Sequence, residues 1–193
     1  MANDTRYLIR ISHSGAYRPA LAKDLLSRVR ILAGPLQGKA INLRVTPVAV
    51  EFDLFCGAEI SLDPFLSAFE EIGPLITCKR LDLPAAPAAA QAVISEARAL
   101  FNEHRFWEVH EVLESLWKEL YGSEKQLVQG LILAAAALVH AQKDESSVFW
   151  TMLADAEKRL MDQPPRYHGW DIGKFREHLA RIQAAKKIEI LTV

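Results

Sequence analysis

The chain has 193 residues, of which 50% are hydrophobic and 24% charged, with 23 Lys and Arg residues against 24 Asp and Glu residues. This is the composition of an ordinary globular protein of one or two domains. A net charge near zero disfavours a protein that coats nucleic acid or an anionic membrane, because both need an excess of Lys and Arg on one surface. We therefore expect neither nucleic acid nor a membrane as a partner.

The cysteine content and the N-terminal residues favour a reducing compartment. Cys56 and Cys78 show no CxxC spacing and are too few for a disulfide framework. The first residues carry no signal-peptide pattern. The longest apolar run, residues 131–139, is about half of the roughly 20 residues that a bilayer span needs. We expect a cytoplasmic protein.

The first part of the chain alternates strand and helix patterns. Residues 7–11 alternate as a strand, and Pro19 begins a helix whose apolar residues recur at helical spacing as far as Gly34. Residues 41–45 and 48–55 form a tight hairpin pattern, residues 63–72 a second helix, and residues 75–83 the last strand. The order β-α-β-β-α-β predicts a ferredoxin-like domain over residues 1–83.

The open face of this predicted sheet carries both charge signs. We expect it to present Leu8, Arg10, Asn42, Arg44, Glu51 and Asp53. It lacks a pair of aromatic side chains on which bases could stack, which again disfavours RNA. A face of mixed charge suits docking on the helical half of the chain or on a second subunit.

A proline- and alanine-rich stretch, residues 84–90, predicts a linker. Five helical patterns follow it, at about residues 88–103, 105–121, 123–143, 146–161 and 172–186. Short loops make consecutive helices antiparallel neighbours, so residues 91–193 predict a helical bundle domain, with the irregular segment 163–171 folded over an opening of the bundle. The expected fold class is α+β, a ferredoxin-like βαββαβ domain followed by an all-α bundle.

The helix predicted over residues 105–121 carries the chemically suggestive side chains. At 100° per residue its apolar positions form a stripe that faces the core. His110 falls at the border of that stripe and Glu114 one step further round, whereas Glu111 and Glu108 are expected progressively further toward water. His110 and Glu114 stand at i and i+4, so their side chains stack one turn apart.

Three interpretations of this pair stay open. The pair can belong to a buried polar network that fixes helix register, with Trp107 and Trp117 in the core. It can line a pocket for a small molecule or a protein partner. It can also act in a metal or acid/base catalytic centre, with His110 and Glu114 as ligands or as the catalytic pair.

The first two interpretations together predict a non-catalytic binding module with a structural His/Glu/Trp network, and the third predicts a metal-dependent hydrolase. Two ligands alone do not complete a metal site. The sequence identifies no cofactor and leaves open whether the chain is an enzyme. It also leaves a small molecule, a protein and a second copy of the chain as partners.

The next predicted helix holds two further polar residues and a glycine. Gln129 and His140 lie on one stripe but are about 16 Å apart along the axis, so they cannot serve one small site. Gly130 costs about 1 kcal/mol relative to alanine in mid-helix. It therefore predicts either a close helix contact or room for a ligand.

One set of residues resembles a known family. The set contains Asn102, Trp107, His110, Glu111, Glu114, Trp117, Gln129 and His140. With His-x-x-x-Glu-x-x-Trp at His110, Glu114 and Trp117, the chain resembles the domain of unknown function 309 family over about residues 90–162. The resemblance implies a small all-helical domain and a shared role for these three residues, and it implies no activity.

Overall fold

The computed structural model describes residues 4–82, 89–189 and 193. They divide into two compact units, the first built around a four-stranded antiparallel sheet and the second built from helices. The mixed α+β class, with the sheet preceding the helical part, is confirmed. The predicted linker at residues 84–90 falls mostly on residues 83–88, which lie outside the described residues.

The elements of the first unit follow the predicted order. They are β1 (Asp4–Ser12), α1 (Ala22–Ala33), β2 (Lys39–Val45), β3 (Ala49–Gly57), α2 (Asp63–Phe69) and β4 (Leu75–Arg80). A short 3-10 turn, Pro19–Leu21, precedes α1 because proline fixes the first turn but cannot donate a backbone hydrogen bond. The strand order is β2-β3-β1-β4, and every neighbouring pair is antiparallel. The last strand was predicted over residues 75–83 but ends at Arg80, and residue 83 itself is outside the described residues.

One face of the sheet forms the core of the first unit with α1 and α2. Strand residues Ile9, Ile11, Val50 and Phe52 are all fully buried there, as the alternation of β1 and β3 predicts. The ring of Phe69 from α2 meets that of Phe52 edge to face, with centroids 5.0 Å apart. The apolar residues of two strands and two helices thus share a single core.

The opposite face of the sheet carries a network of charged side chains. Arg10 Nε lies 2.8 Å from Glu51 Oε1, across the β1–β3 pairing that sets these two residues opposite each other. Asp53 accepts from Arg6 Nη2 and Asn42 Nδ2, each at 2.9 Å. Both acids are buried, as are three side chains named in the prediction for this face, Leu8, Arg10 and Arg44.

Arg44 is the most enclosed cation of this network, with no exposed side-chain surface. Its guanidinium lies 3.5 Å from Asp53 Oδ1 and 3.7 Å from Glu51 Oε2, and its Nη1 donates to the carbonyl of Asn42 at 2.9 Å. Asn42 adopts a left-handed conformation, φ 55°, where the β2–β3 register shifts. The irregularity in β2 therefore belongs to the same polar network as the buried charges.

We predict that Asp53→Asn destabilises the first unit by about 3 kcal/mol, because removing one partner leaves buried guanidinium groups without their compensating charge. The measurement is the free energy of unfolding of the first unit from urea titration. Glu59→Gln, at an exposed turn position, is the matched control and should change that free energy by less than about 0.5 kcal/mol. Equal effects of the two substitutions would show that the network does not stabilise the sheet.

The second unit contains five helices and a short hairpin. They are α3 (Ala90–Asn102), α4 (Phe106–Trp117), α5 (Gly122–Gln142), α6 (Ser146–Leu160), β5 (Arg166–Tyr167), β6 (Trp170–Asp171) and α7 (Ile172–Ala185). The hairpin occupies the segment that was predicted to be irregular. It places Trp170 inside the unit at 1% exposure, edge to face with Phe101 and Phe175. Among the described residues, no helix combines the length and the apolarity that a membrane crossing requires.

Gly130 marks a close approach of α5 and α6. A Cβ atom at this position would lie 2.7 Å from both Cγ and Cδ2 of Leu160. Real carbon atoms do not come so close, so the leucine fits only because residue 130 has no side chain. The sequence prediction of a close helix contact is confirmed.

We predict that Gly130→Ala destabilises the second unit by about 1–2 kcal/mol, because overpacking outweighs the gain in helix propensity. Leu160→Ala alone should cost about 2–5 kcal/mol through the cavity that it leaves. In the Leu160→Ala background, Gly130→Ala should cost nothing or stabilise, since the clash is then gone. The free energies of unfolding of the four proteins test this, and additive effects would contradict the contact.

Candidate functional site

Helix α4 is held by an apolar stripe and by a salt bridge at its first turn. Phe106, Val109 and Leu113 are buried in the core of the second unit. Ahead of the first turn, the guanidinium of Arg105 donates two hydrogen bonds to the carboxylate of Glu108, at 2.7 and 2.8 Å. The stripe sets the rotation of the helix, and it therefore decides which of the polar residues lie at its border.

Three potential metal ligands lie together at this border. One ligand atom from each of His110, Glu111 and Glu114 can be chosen so that all three lie within 4.8 Å of one another. The shortest ion-pair contact inside the group is 4.0 Å, between His110 Nδ1 and Glu111 Oε1. All three residues are half-buried. Within the part of the chain that the structure describes, no other group of three His, Cys, Asp or Glu residues meets this criterion.

Glu111 is the member of this group that the helical-wheel argument placed on the water side. Its side chain is more exposed than that of His110, 40% against 26%, but its carboxylate still reaches the imidazole. The i, i+1, i+4 spacing was readable in the sequence. A helical wheel gives only the direction of the Cβ atom, so it could not predict how far the Glu111 side chain extends toward His110.

Two tryptophans flank the group along the helix. The indole of Trp107 lies parallel to the imidazole of His110, with ring centroids 5.5 Å apart and planes 6° apart. Lys125 Nζ sits 4.3 Å from the ring centroid of Trp117. The stack restricts the tilt of the imidazole, and the cation covers the second indole.

The charge balance of the group is negative. Two carboxylates, from Glu111 and Glu114, stand beside one imidazole. Among the described residues, a cation in direct contact with them is Lys118, whose Nζ lies 3.3 Å from Glu114 Oε1. Nδ1 of His110 is buried and makes no hydrogen bond within the described residues. Such a set can accept a cation.

Glu108 corrects one sequence expectation. It was expected to point toward water, but it is only 3% exposed. The guanidinium of Arg105, which also donates to Glu103 at 2.9 Å, is the reason that a carboxylate is tolerated there. Burial lowers the pKa of Arg105, and its hydrogen bonds to Glu108 and Glu103 outweigh that effect and raise it. The i, i+3 spacing of Arg105 and Glu108 at the start of the helix was the feature of the sequence that could have predicted this ion pair.

The other residues of the sequence motif are not part of this group. Asn102 exchanges two hydrogen bonds with the backbone of Val193, donating at 2.9 Å and accepting at 2.7 Å. His140 Nδ1 lies 2.5 Å from Glu145 Oε2, at the turn between α5 and α6. Gln129 lines a cavity between α5 and α6. The sequence motif is therefore divided among four places in the unit.

Comparison with known proteins finds similarity over parts of this chain. Residues 94–152 match the family model described as "Domain of unknown function (DUF309)". An uncharacterized protein of Aquifex aeolicus (strain VF5) is 27% identical over 97 residues, which are 50% of this chain and 29% of that protein. The chain thus spans less than a third of the length of this relative.

A solved structure is also similar to this chain. It is the crystal structure of the conserved hypothetical protein TTHA0068 from Thermus thermophilus, at 34% identity and a TM-score of 0.42. The match covers 47% of this chain and 95% of that one. The resemblance to the DUF309 family that the spacing of His110, Glu114 and Trp117 indicated is confirmed by the match of the family model over residues 94–152.

Proposed function

We propose that this chain is a non-catalytic binding protein whose helical unit holds a divalent transition-metal ion on α4. The observation that carries the proposal is the group of His110, Glu111 and Glu114, whose ligand atoms lie within 4.8 Å of one another. A tetrahedral zinc ion with bonds of about 2.1 Å holds its ligands roughly 3.4 Å apart. Rotamer adjustments of about an ångström would close the group around such an ion.

The charges of the group support a divalent cation. Two carboxylates neutralise a charge of two, and a neutral imidazole adds a nitrogen ligand of the type that zinc, nickel and cobalt prefer. The parallel stack of Trp107 on His110 would hold the ring plane while the ion binds. Three protein ligands leave at least one coordination position for water.

We predict that the untagged protein binds about one equivalent of Zn²⁺ and that His110→Ala weakens this affinity by about 100-fold or more, since even an outer partner of a ligand can be worth that much. Isothermal titration calorimetry gives the affinity, and tryptophan fluorescence reports binding beside the stacked ring of Trp107. His178→Ala, a half-buried imidazole on α7, is the matched control and should bind as the wild type does. Equal affinity of both variants and wild type would refute the site.

We also predict that Lys118→Gln strengthens metal binding by about two- to fivefold. The ammonium group of Lys118 now occupies one oxygen of Glu114 and competes with the ion, and an exposed ion pair of this kind is worth roughly 0.2–1 kcal/mol. The same calorimetric titration measures the change. Lys174→Gln, at an exposed position on α7, is the control and should have no effect.

The second candidate function is a metal-dependent hydrolase in which His110 and Glu114 act as ligands or as an acid/base pair. The observation in its favour is the third ligand, Glu111, because three ligands leave an open position at which a metal-bound water could be activated. Hydrolysis of p-nitrophenyl esters and phosphodiesters in the presence of Zn²⁺ separates the two functions. Stoichiometric metal without turnover supports the binding protein, and turnover lost in His110→Ala but kept in His178→Ala supports the hydrolase.

A third outcome assigns the motif to structure alone. If His110→Ala binds metal as the wild type does and only unfolds more easily, the His/Glu/Trp group is a structural network. Its support is the packing already described, in which Trp107 stacks on the imidazole and Lys125 covers Trp117. The stability of the variant should then be the only property that changes.

We further infer that the first unit is a ferredoxin-like domain, over residues 1–83, joined by residues 84–90 to a helical domain of residues 91–193. The strand order β2-β3-β1-β4 with antiparallel neighbours supports the first part of this inference. The free cysteines Cys56 and Cys78 support a cytoplasmic location.

A further inference from the structure

A groove runs between α5 and α6, and its lining includes none of His110, Glu111 and Glu114, the metal-ligand group on α4. A cavity of about 480 Å³ is lined on the α5 side by Gln126, Gln129 and Leu133. A second cavity, of about 380 Å³, continues it and shares Leu133 and Asp155 with the first. Each volume lies in the range of small-molecule sites.

Two contacts join the helices that border the groove. At Gly130 the two helices approach until Leu160 touches the α5 backbone. Arg159 Nη1 donates a hydrogen bond to Gln126 Oε1 and thereby links the two walls. Gln126 and Arg159, which both line the larger cavity, are therefore in contact across it.

The charges of the groove come from one face of α6 and the turn that follows it. Asp155, Arg159 and Asp162 follow one another at i, i+4 and i+7, and Lys158 stands beside them. Two cations and two carboxylates therefore line the larger cavity. A ligand of a single charge sign would meet repulsion as well as attraction there, whereas a zwitterion can pair with both signs.

The smaller cavity supplies an apolar end. Val148 and Met152 line it from α6, and Leu133 lines it from α5. Asp155 lines both cavities and therefore lies where the apolar cavity meets the charged one. The groove thus presents carboxylates, cationic groups and an apolar wall, with Asp155 and Leu133 common to both of its cavities.

We propose that this groove binds a free α-amino acid with an apolar side chain. An α-amino acid carries an ammonium group, a carboxylate and a side chain on a single carbon. In the groove, Asp155 would accept from the ammonium group, Arg159 would donate to the carboxylate, and the side chain would lie against Leu133 and Met152. This site goes beyond the proposed metal binding and uses none of its ligands.

The test is calorimetric titration of the full chain with L-leucine, and with three analogues that each lack one group. Leucinamide lacks the carboxylate, 4-methylpentanoate lacks the ammonium group, and glycine lacks the apolar side chain. We expect L-leucine to bind with a dissociation constant below about 1 mM, and each analogue at least about tenfold more weakly, as expected for the loss of one charge-assisted hydrogen bond or one buried side chain.

Asp155→Asn tests the orientation of the ligand. It should lower the affinity for L-leucine by about tenfold. It should not lower the affinity for 4-methylpentanoate, which has no ammonium group. Asp24→Asn, at an exposed position on α1, is the matched control, and His110→Ala should bind L-leucine as the wild type does. The proposal is overturned if L-leucine fails to bind at concentrations up to about 10 mM, or if Asp155→Asn weakens the two ligands equally.

Discussion

The apolar stripe of α4 is the constraint on which the candidate metal site depends. Phe106, Val109, Leu113 and Leu116 are all buried, so the helix has one rotation that satisfies the core. That rotation sets His110 and Glu114 at the border between core and solvent. A fully buried position would require the carboxylates to be neutralised by protein cations, and a fully exposed one would leave the side chains unconstrained. The half-buried border keeps the ligands close together and still accessible.

The element pattern of the fold followed from the sequence because each helix and strand repeats its own period. The helices α3 to α7 carry apolar residues at helical spacing, and the alternation of β1 and β3 assigned Ile9 and Phe52 to the core. The helix contact at Gly130 was also predictable, because glycine in mid-helix is unfavourable and therefore indicates close packing. The packing partner in the structure is Leu160. These predictions rest on backbone period and on the presence or absence of a Cβ atom.

The site was less predictable because it depends on side-chain reach and on contacts distant in sequence. Glu111 joins His110 through the length of its side chain, and Glu108 is buried because Arg105 lies within reach of it. Asn102 finds its partner 91 residues further along the chain, at Val193. The cavity lined by Gln129 needs residues of α6, for which no pairing rule exists in a single sequence. Helical spacing predicts the side of the helix on which a residue lies, but it does not predict which side chains are in contact.

The metal-ligand group differs from the other polar clusters in how far its carboxylates are paired with cationic side chains. On the sheet, Glu51 and Asp53 are paired with guanidinium groups of Arg10, Arg6 and Arg44, and at the start of α4 a guanidinium forms two hydrogen bonds with Glu108. In the group of His110, Glu111 and Glu114, two carboxylates face a single ammonium group, from a side chain that is itself largely exposed. The side chains of Glu111 and Glu114 are 40% and 39% exposed, so solvent screens part of their mutual repulsion, and a cation that joins them would remove more of it. A divalent ion at this border would supply the compensation that arginine supplies elsewhere in the chain.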